Sequence, residues 1–321
     1  MMARSKSASQ TRSFLMRRFA EAGIQPRTKL GQNFLIDLNL QRLLVNSAEL
    51  EPCDVVLEVG TGTGSLTAQM AGLAASVVTV ELDADLFRLA EEQLHDLPNV
   101  RMLHADALKN KNRLNPQVLA AVEEQLAVDP RRRFKLVANL PYQVATPILT
   151  NLLALERPPR TMTITIQKEL ADRIVAAPAT KDYGALSIWV QSQCRVRIVR
   201  VMPPSVFWPR PKVSSAIVHV VLDDALRSRI PDRVFFHGFV RAMFFHRRKF
   251  LRSELRSVLK KIGKAEVDRI MAALGLEATA RAEQLDVETM LALAERCRQR
   301  VAAVGGEAMS GEKGAASDAV H

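Results

Sequence analysis

The run Leu136 to Tyr142, LVANLPY, is an apolar segment that stops at a side-chain amide, a proline and an aromatic. Such a run reads as a buried strand whose carboxyl end opens into a site. The amide oxygen of Asn139 and the backbone carbonyl of Leu140 can accept hydrogen bonds from an exocyclic amine. Pro141 stiffens the turn and Tyr142 offers a flat face to a base. That set suits a nucleobase amine. The same tetrapeptide also suits a plain strand-to-helix turn in which Asn139 caps the next helix.

A second stretch, Glu58 to Thr67, reads EVGTGTGSLT. Gly60 and Gly62 let the backbone turn tightly and come close to a bound nucleoside, where a Cβ would clash. The nicotinamide fingerprint needs glycine or alanine at its sixth position, and Ser65 stands there. Glu81, in Val80-Glu81-Leu82-Asp83, comes about 20 residues after the first glycine, the place of an acid that accepts from ribose hydroxyls. A dinucleotide and S-adenosylmethionine satisfy that pattern equally. Asp106, in His104-Ala105-Asp106-Ala107, offers a carboxylate to an adenine amine. Either acid could instead cap a helix or sit in a solvated loop. Their recurrence at successive strand ends favours a shared site.

The elements that must position these residues alternate. Strands are expected at Val55–Val59, Ser76–Leu82, Val100–His104, Phe134–Leu140 and Met162–Gln167, with helices between them, which predicts a parallel, doubly wound sheet. Two further β-branched runs, Arg195–Val201 and Ser214–Leu222, are expected to pair antiparallel at one edge. About seven such strands suit a methyltransferase sheet better than a six-stranded nicotinamide domain. Gly60, Glu81, Asp106 and Asn139 would then meet at one sheet edge. Lys109 to Arg133 is long for a loop; Pro116–Leu126 reads as an inserted helix before the basic run Arg131 to Arg133. After Leu222 the period is helical to about Val301.

The domain plan is a basic helical extension over 1–22, an α/β domain over 23–222 with an insertion at about 109–133, a helical domain over 223–301, and a disordered tail over 302–321. Residues 1–22 are rich in Ser and Arg and could pass for a transit peptide. Phe14, Leu15, Arg18 and Phe19 fit an amphipathic helix entering the fold instead. The 321 residues, 48% hydrophobic, suffice for two cored domains. A net charge of +11 favours a polyanionic partner. No apolar run approaches the roughly 20 residues of a spanning helix. Cys53, Cys194 and Cys297 lie far apart with no CxxC pair, which fits a reducing compartment. The histidines lack metal-binding spacings, and His104 reads as an ordinary histidine beside a strand.

LGQNFLID from Leu30, EVGTGTGSLT, VELD, HADAL, NLPY, Gln167-Lys168-Glu169 through Lys181-Asp182-Tyr183-Gly184, and Phe207 to Ser214 (FWPRPKVS) stand in order. Together they resemble the ribosomal RNA adenine N6,N6-dimethyltransferase family, small-subunit type, from about Gln10 to Leu293. The resemblance implies a Rossmann-like class I S-adenosylmethionine-dependent methyltransferase with a seven-stranded, mostly parallel sheet and a smaller C-terminal all-α domain. It implies that Asn33, Leu35, Gly60, Glu81, Asp106 and Asn139 line the S-adenosylmethionine site. Gly62 belongs to the same loop. The implied substrate is a pair of adjacent adenines near the 3′ end of 16S rRNA in the small ribosomal subunit, both dimethylated, by a cytoplasmic monomer that needs no metal or membrane.

With that chemistry Asn139 and Leu140 would hold the N6 hydrogens, and Tyr142 and Phe207 would stack the base from either side. Arg248, Arg252, Arg256 and Lys260 recur every fourth residue opposite Leu251, Leu255, Val258 and Ile262. That basic stripe would meet RNA phosphates. The competing readings are a large-subunit rRNA methyltransferase of the antibiotic-resistance type, a non-catalytic ribosome-assembly or transcription factor, and a nicotinamide dehydrogenase. LGQNFL, the intact acidic and NLPY residues, and Ser65 respectively argue against them.

Overall fold

The computed structural model describes residues 12–27, 31–246, 249–259 and 263–303. These form two compact units, one of residues up to Ala171 with Arg195–Leu222, the other of Asp172–Cys194 with the residues after Leu222.

The first unit is built on a seven-stranded sheet. Its strands are β2 (Asp54–Val59), β3 (Ser76–Glu81), β4 (Val100–His104), β7 (Arg133–Asn139), β8 (Thr161–Gln167), β9 (Cys194–Met202) and β11 (Ser215–Leu222). The order is β4-β3-β2-β7-β8-β11-β9. The pairs β3–β4, β2–β3, β2–β7 and β7–β8 are parallel, and β11 runs antiparallel to β8. All seven strands expected from the sequence are present, each within a residue or two of its expected bounds. β2 and β3 are buried along their whole length; β-branched residues suit strands covered on both faces. Two short ladders complete the strands: β1 (Phe34–Leu35) with β10 (Phe207–Trp208), and a hairpin of β5 (Leu108–Asn110) with β6 (Arg113–Leu114).

Helices α1 (Arg12–Glu21), α2 (Leu38–Ser47), α3 (Ser65–Ala71), α4 (Ala84–Leu94), α5 (Pro116–Leu126) and α6 (Ala145–Ala154) accompany the sheet. In α1, Leu15 and Phe19 are buried. The Phe19 ring meets Phe34 edge-on at 5.2 Å and Trp208 at 5.3 Å. The side of the extension that carries those residues is therefore part of the fold.

The segment expected as an insertion is not one. Helix α5 starts at a capping Asn115 with Pro116 in its first turn, buries Val118, Ala121, Val122 and Leu126, and packs on β2, β3 and β7. The chain leaves edge strand β4 and must pass two strands to reach β7, and α5 is that crossover. The run Arg131 to Arg133 is also absorbed locally. Arg131 pairs with Asp129 at 2.7 Å, Arg132 donates to the Gln125 carbonyl, and Arg133 pairs with Glu51 and Asp54 at 2.9 Å. Asp54, fully buried, also holds Lys135 at 2.9 Å, whose ammonium donates to the Ala48 and Glu49 carbonyls where α2 ends.

The second unit is helical. It contains the end of α7 (Lys168–Val175), then α8 (Ala185–Gln191), α9 (Asp224–Ser228), α10 (Arg233–Met243), α11 (Leu251–Val258), α12 (Lys264–Ala272) and α13 (Val287–Ala303). Residues 172–194 belong here and not with the sheet, which moves the expected boundary. The cause is packing. Trp189 on α8 is buried against Phe236 and His237 of α10, and buried Tyr183 donates to the Leu285 carbonyl at 2.9 Å. Of the tail expected from 302, residues 302 and 303 belong to α13, and residues 304–321 lie outside the described set.

Candidate active site

Gly31, Gln32, Asn33, Phe34, Gly60, Gly62, Glu81, Asp106, Asn139, Leu140 and Tyr142 line one cleft of about 810 Å³ at the carboxyl ends of β2, β3, β4 and β7. A parallel sheet opens at that edge because its loops leave there, ahead of the helices they feed. Leu82, Leu86, Ala107, Val59 and Val80 supply apolar wall between the polar groups.

The glycine loop has the backbone the sequence required. Gly60 and Gly62 have φ of +86° and +57°, the left-handed region that side chains disfavour. A Cβ on Gly62 would also lie 3.2 Å from the Phe34 ring. The Gly62 N–H donates to Glu81 Oε2 at 2.9 Å, and the Asp83 N–H donates to Oε1 at 2.9 Å. Each oxygen keeps a lone pair for a sugar hydroxyl. Burial pushes the Glu81 pKa up, partly offset by the Asp83 and Gly62 N–H groups and reinforced by the nearby Asp83 charge.

Asp106 is exposed, and its Oδ1 accepts from the Leu108 N–H at 2.8 Å, which leaves Oδ2 for an incoming amine. Asn139 donates through Nδ2 to the Asn33 carbonyl at 2.9 Å. Asn33 in turn donates to the Gly31 carbonyl at 3.2 Å. An amide anchored by its nitrogen has its oxygen left as an acceptor. Tyr142 hydrogen-bonds Ser215 through its hydroxyl at 2.7 Å, and burial raises its pKa.

Two expected site residues stand elsewhere. Leu35 is buried, pairs with Phe207 across β1 and β10, and gives its carbonyl to Gln41 Nε2 at 2.5 Å. Phe207 is 2% exposed within the same apolar cluster as Leu35, Leu44 and Val45, so its ring has no face to offer a base. The expected basic stripe also changes. Arg248 and Lys260, like Ile262, lie outside the described residues. Arg252 is held at 2.5 Å by both oxygens of Asp268, bracing α11 to α12, which leaves exposed Arg256 as the described residue of the stripe that fits a phosphate. His104 sits at 5.3 Å from the Phe87 ring, and no metal-holding group of acids, histidines and cysteines occurs among the described residues.

Three participants were not foreseen. Phe34 forms cleft wall, and Gln32 Nε2 donates to Asp83 Oδ2 at 3.2 Å. Glu58, buried in β2 beneath the glycine loop, accepts from Thr67 and Thr79 hydroxyls at 2.6 Å each, and Thr79 meets Thr61 at 2.6 Å. An acid inside the otherwise apolar strand run VVLEV was the available signal for Glu58.

A family model described as ribosomal RNA adenine dimethylase matches residues 23–299. The chain belongs to the ribosomal RNA adenine dimethylase family. It is a methyltransferase, with S-adenosylmethionine as its methyl donor. Ribosomal RNA small subunit methyltransferase A of Geobacillus kaustophilus is 39% identical over 84% of this chain and 90% of that protein. The protein of the same name from Alkaliphilus oremlandii is 39% identical over 85% and 92%. A dimethyladenosine transferase from Plasmodium falciparum shares the fold, with a TM-score of 0.67 at 22% identity over 84% of this chain and 97% of that one. The 23S rRNA methyltransferase ErmE aligns with a TM-score of 0.57 at 25% identity over 83% and 100%.

The cleft fits the donor. Its glycine loop brings bare backbone to the cleft wall, and its acids at the ends of β3 and β4 offer acceptors of the kind a ribose and an adenine amine require. Glu81→Gln should raise the Kd for S-adenosylmethionine roughly 10- to 100-fold, since an acceptor oxygen is replaced by a donor facing a backbone N–H. Titration calorimetry measures this, and an unchanged Kd would remove Glu81 from the cofactor site.

Proposed function

We propose that this enzyme dimethylates N6 of two adjacent adenines near the 3′ end of 16S rRNA in the small ribosomal subunit, acting as a cytoplasmic monomer. The observation that carries this reading is the Asn139 amide, anchored through Nδ2 to the Asn33 carbonyl at 2.9 Å in the cleft that Glu81 and Asp106 also line. The 39% identity to proteins named for the small subunit, against 25% to the 23S enzyme, supports small-subunit over large-subunit RNA.

In this reading Glu81 holds the ribose, Asp106 the adenine amine, and Gly60, Gly62 and Asn33 the backbone-close parts of the donor. When bound, the donor supplies a sulfonium-activated methyl group. The N6 lone pair of adenine is delocalised into the ring and is a poor nucleophile. Asn139 Oδ1 and the Leu140 carbonyl accept from the N6 hydrogens and favour a pyramidal nitrogen with its lone pair directed outward. No general base is needed before attack. Once the first transfer has ended with loss of one N6 proton to solvent, the monomethylated amine enters the second with one N–H for these acceptors and requires room for the first methyl. Tyr142 supplies the stacking face, while Arg256 of the helical unit contacts phosphate.

Ser215 positions the Tyr142 ring through the 2.7 Å hydroxyl contact. Ser215→Ala and Tyr142→Phe should each lower kcat/KM for RNA about 3- to 10-fold, the worth of one hydrogen bond. Tyr142→Ala should cost more, since stacking is worth about 1–3 kcal/mol per base. Steady-state kinetics decide, and a Tyr142→Phe defect as severe as that of Tyr142→Ala would assign the work to the hydroxyl.

The test of the whole reading incubates the protein and labelled S-adenosylmethionine with small subunits that lack the modification, then digests the rRNA. N6,N6-dimethyladenosine near the 3′ end is expected. Methyl transfer to large-subunit RNA alone would overturn the substrate.

A further inference from the structure

The chain leaves β4 at His104, passes Asp106 and Ala107 on the cleft wall, and enters the β5–β6 hairpin at once. Within the five residues Lys109 to Arg113 it carries Lys109, Lys111 and Arg113, all exposed. Among the described residues none of their charged groups has an ion-pair or hydrogen-bond partner. That contrasts with Arg101, held by Glu124, Arg131 by Asp129, Arg133 by Glu51 and Asp54, and Arg157 by Glu123.

The hairpin is also firmly built. The Asn115 N–H donates to the Ala107 carbonyl at 2.9 Å and its Nδ2 to the Asp106 carbonyl at 2.8 Å. The Asn112 N–H donates to Asn110 Oδ1 at 2.9 Å, and Asn151 on α6 donates to the Lys111 carbonyl at 3.2 Å. Leu114 is 3% exposed beneath it. Like charges so close repel one another, and no acid among the described residues pairs with them; a polyanion offsets that repulsion. The neutral residues between them are asparagines, with no aromatic to stack a base, so the chemistry matches phosphates and not bases.

We propose that the β5–β6 hairpin is a phosphate-contacting arm, with Lys109, Lys111 and Arg113 seating the RNA backbone beside the mouth of the cleft. The proposal rests on the reading of the cleft as an rRNA adenine site and adds to it a second place of backbone contact, on the sheet unit itself. Because Asp106 Oδ1 accepts from Leu108 N–H, the first residue of the arm, the RNA contact and the adenine-holding carboxylate share one short piece of backbone.

The test compares the full chain with a variant carrying Lys109→Gln, Lys111→Gln and Arg113→Gln, binding a 3′-terminal small-subunit rRNA fragment from low to moderate salt. Each lost phosphate contact lowers the slope of log affinity against log salt by about 0.7–0.9, so a loss of about 2–3 is expected. The KM for unmodified small subunits should rise about tenfold, with S-adenosylmethionine affinity unchanged. Arg131→Gln is the charge control: Arg131 stands just before β7 begins, at the sheet edge away from Asn139, and its loss should leave the slope as it was. A second variant, Lys109→Arg with Lys111→Arg and Arg113→Lys, should keep the parent slope, which separates lost charge from a damaged hairpin. An unchanged slope in the glutamine variant, or an equal loss per charge at Arg131, overturns the arm. Should the parent chain bind the fragment but transfer no methyl to small subunits, the adenine reading fails while the slope comparison still judges the arm.

Discussion

Asn139→Ala should lower kcat for methyl transfer to small-subunit RNA by about 100- to 1,000-fold at saturating S-adenosylmethionine, the usual cost of removing one preorganised polar group aimed at a reacting centre. The substitution removes the Oδ1 acceptor that would hold an N6 hydrogen, and frees the Asn33 carbonyl from Nδ2. The second loss loosens the cleft wall and shows in KM; the first shows in kcat. Single-turnover kinetics separate the two, and a kcat within threefold of the parent would sink the assignment of Asn139 to the reacting amine.

Glu58→Gln should flatten the pH dependence of stability. Burial raises the Glu58 pKa from its ordinary 4.5 to about 8; the Thr67 and Thr79 hydroxyls pull it down and the Glu81 charge pushes it up. The folded state therefore binds more protons than the unfolded state between about 4.5 and about 8. The stability this carboxyl contributes is complete below the unfolded value and is lost as pH rises through the folded one, in total on the order of 5 kcal/mol. Glutamine keeps a carbonyl oxygen for both hydroxyls and does not titrate. Denaturant midpoints at pH 5, 7 and 9 should fall steeply for the parent and much less for the variant; parallel profiles would show that Glu58 does not titrate as a buried acid.

Much of this was legible in the sequence because the signals are local. Apolar, β-branched runs marked the strands of the sheet, and Asn139, Glu81, Asp106 and Gly60 stood at their ends, where the parallel order gathers them. What was not legible depends on partners distant in sequence. Helix α5 reads as an insertion until β4 is known to lie at the edge, two strands from β7. Phe207 reads as a stacking ring until β10 is paired with β1, which turns it into the core beside Leu35. Arg252 belongs to a stripe by spacing and to Asp268 by contact. Trp189 and Tyr183 drew residues 172–194 into the helical unit although strand β9 follows them.

The backbone at Gly60 lies against the ring of Pro141, with the place of a Cβ 3.4 Å from Pro141 Cδ. The loop that would cradle the donor and the turn that would read the acceptor are thus neighbours in space although some eighty positions apart in sequence. Anyone regrafting this enzyme onto another acceptor base inherits that constraint. A replacement for Asn-Leu-Pro-Tyr must keep a third residue that packs on position 60, and a donor loop with a side chain at position 60 is strained by the +86° φ there while lying in van der Waals contact with the turn. Specificity at this site is therefore transplantable as a pair of loops, and single-loop chimeras should lose donor binding along with the acceptor they were meant to exchange.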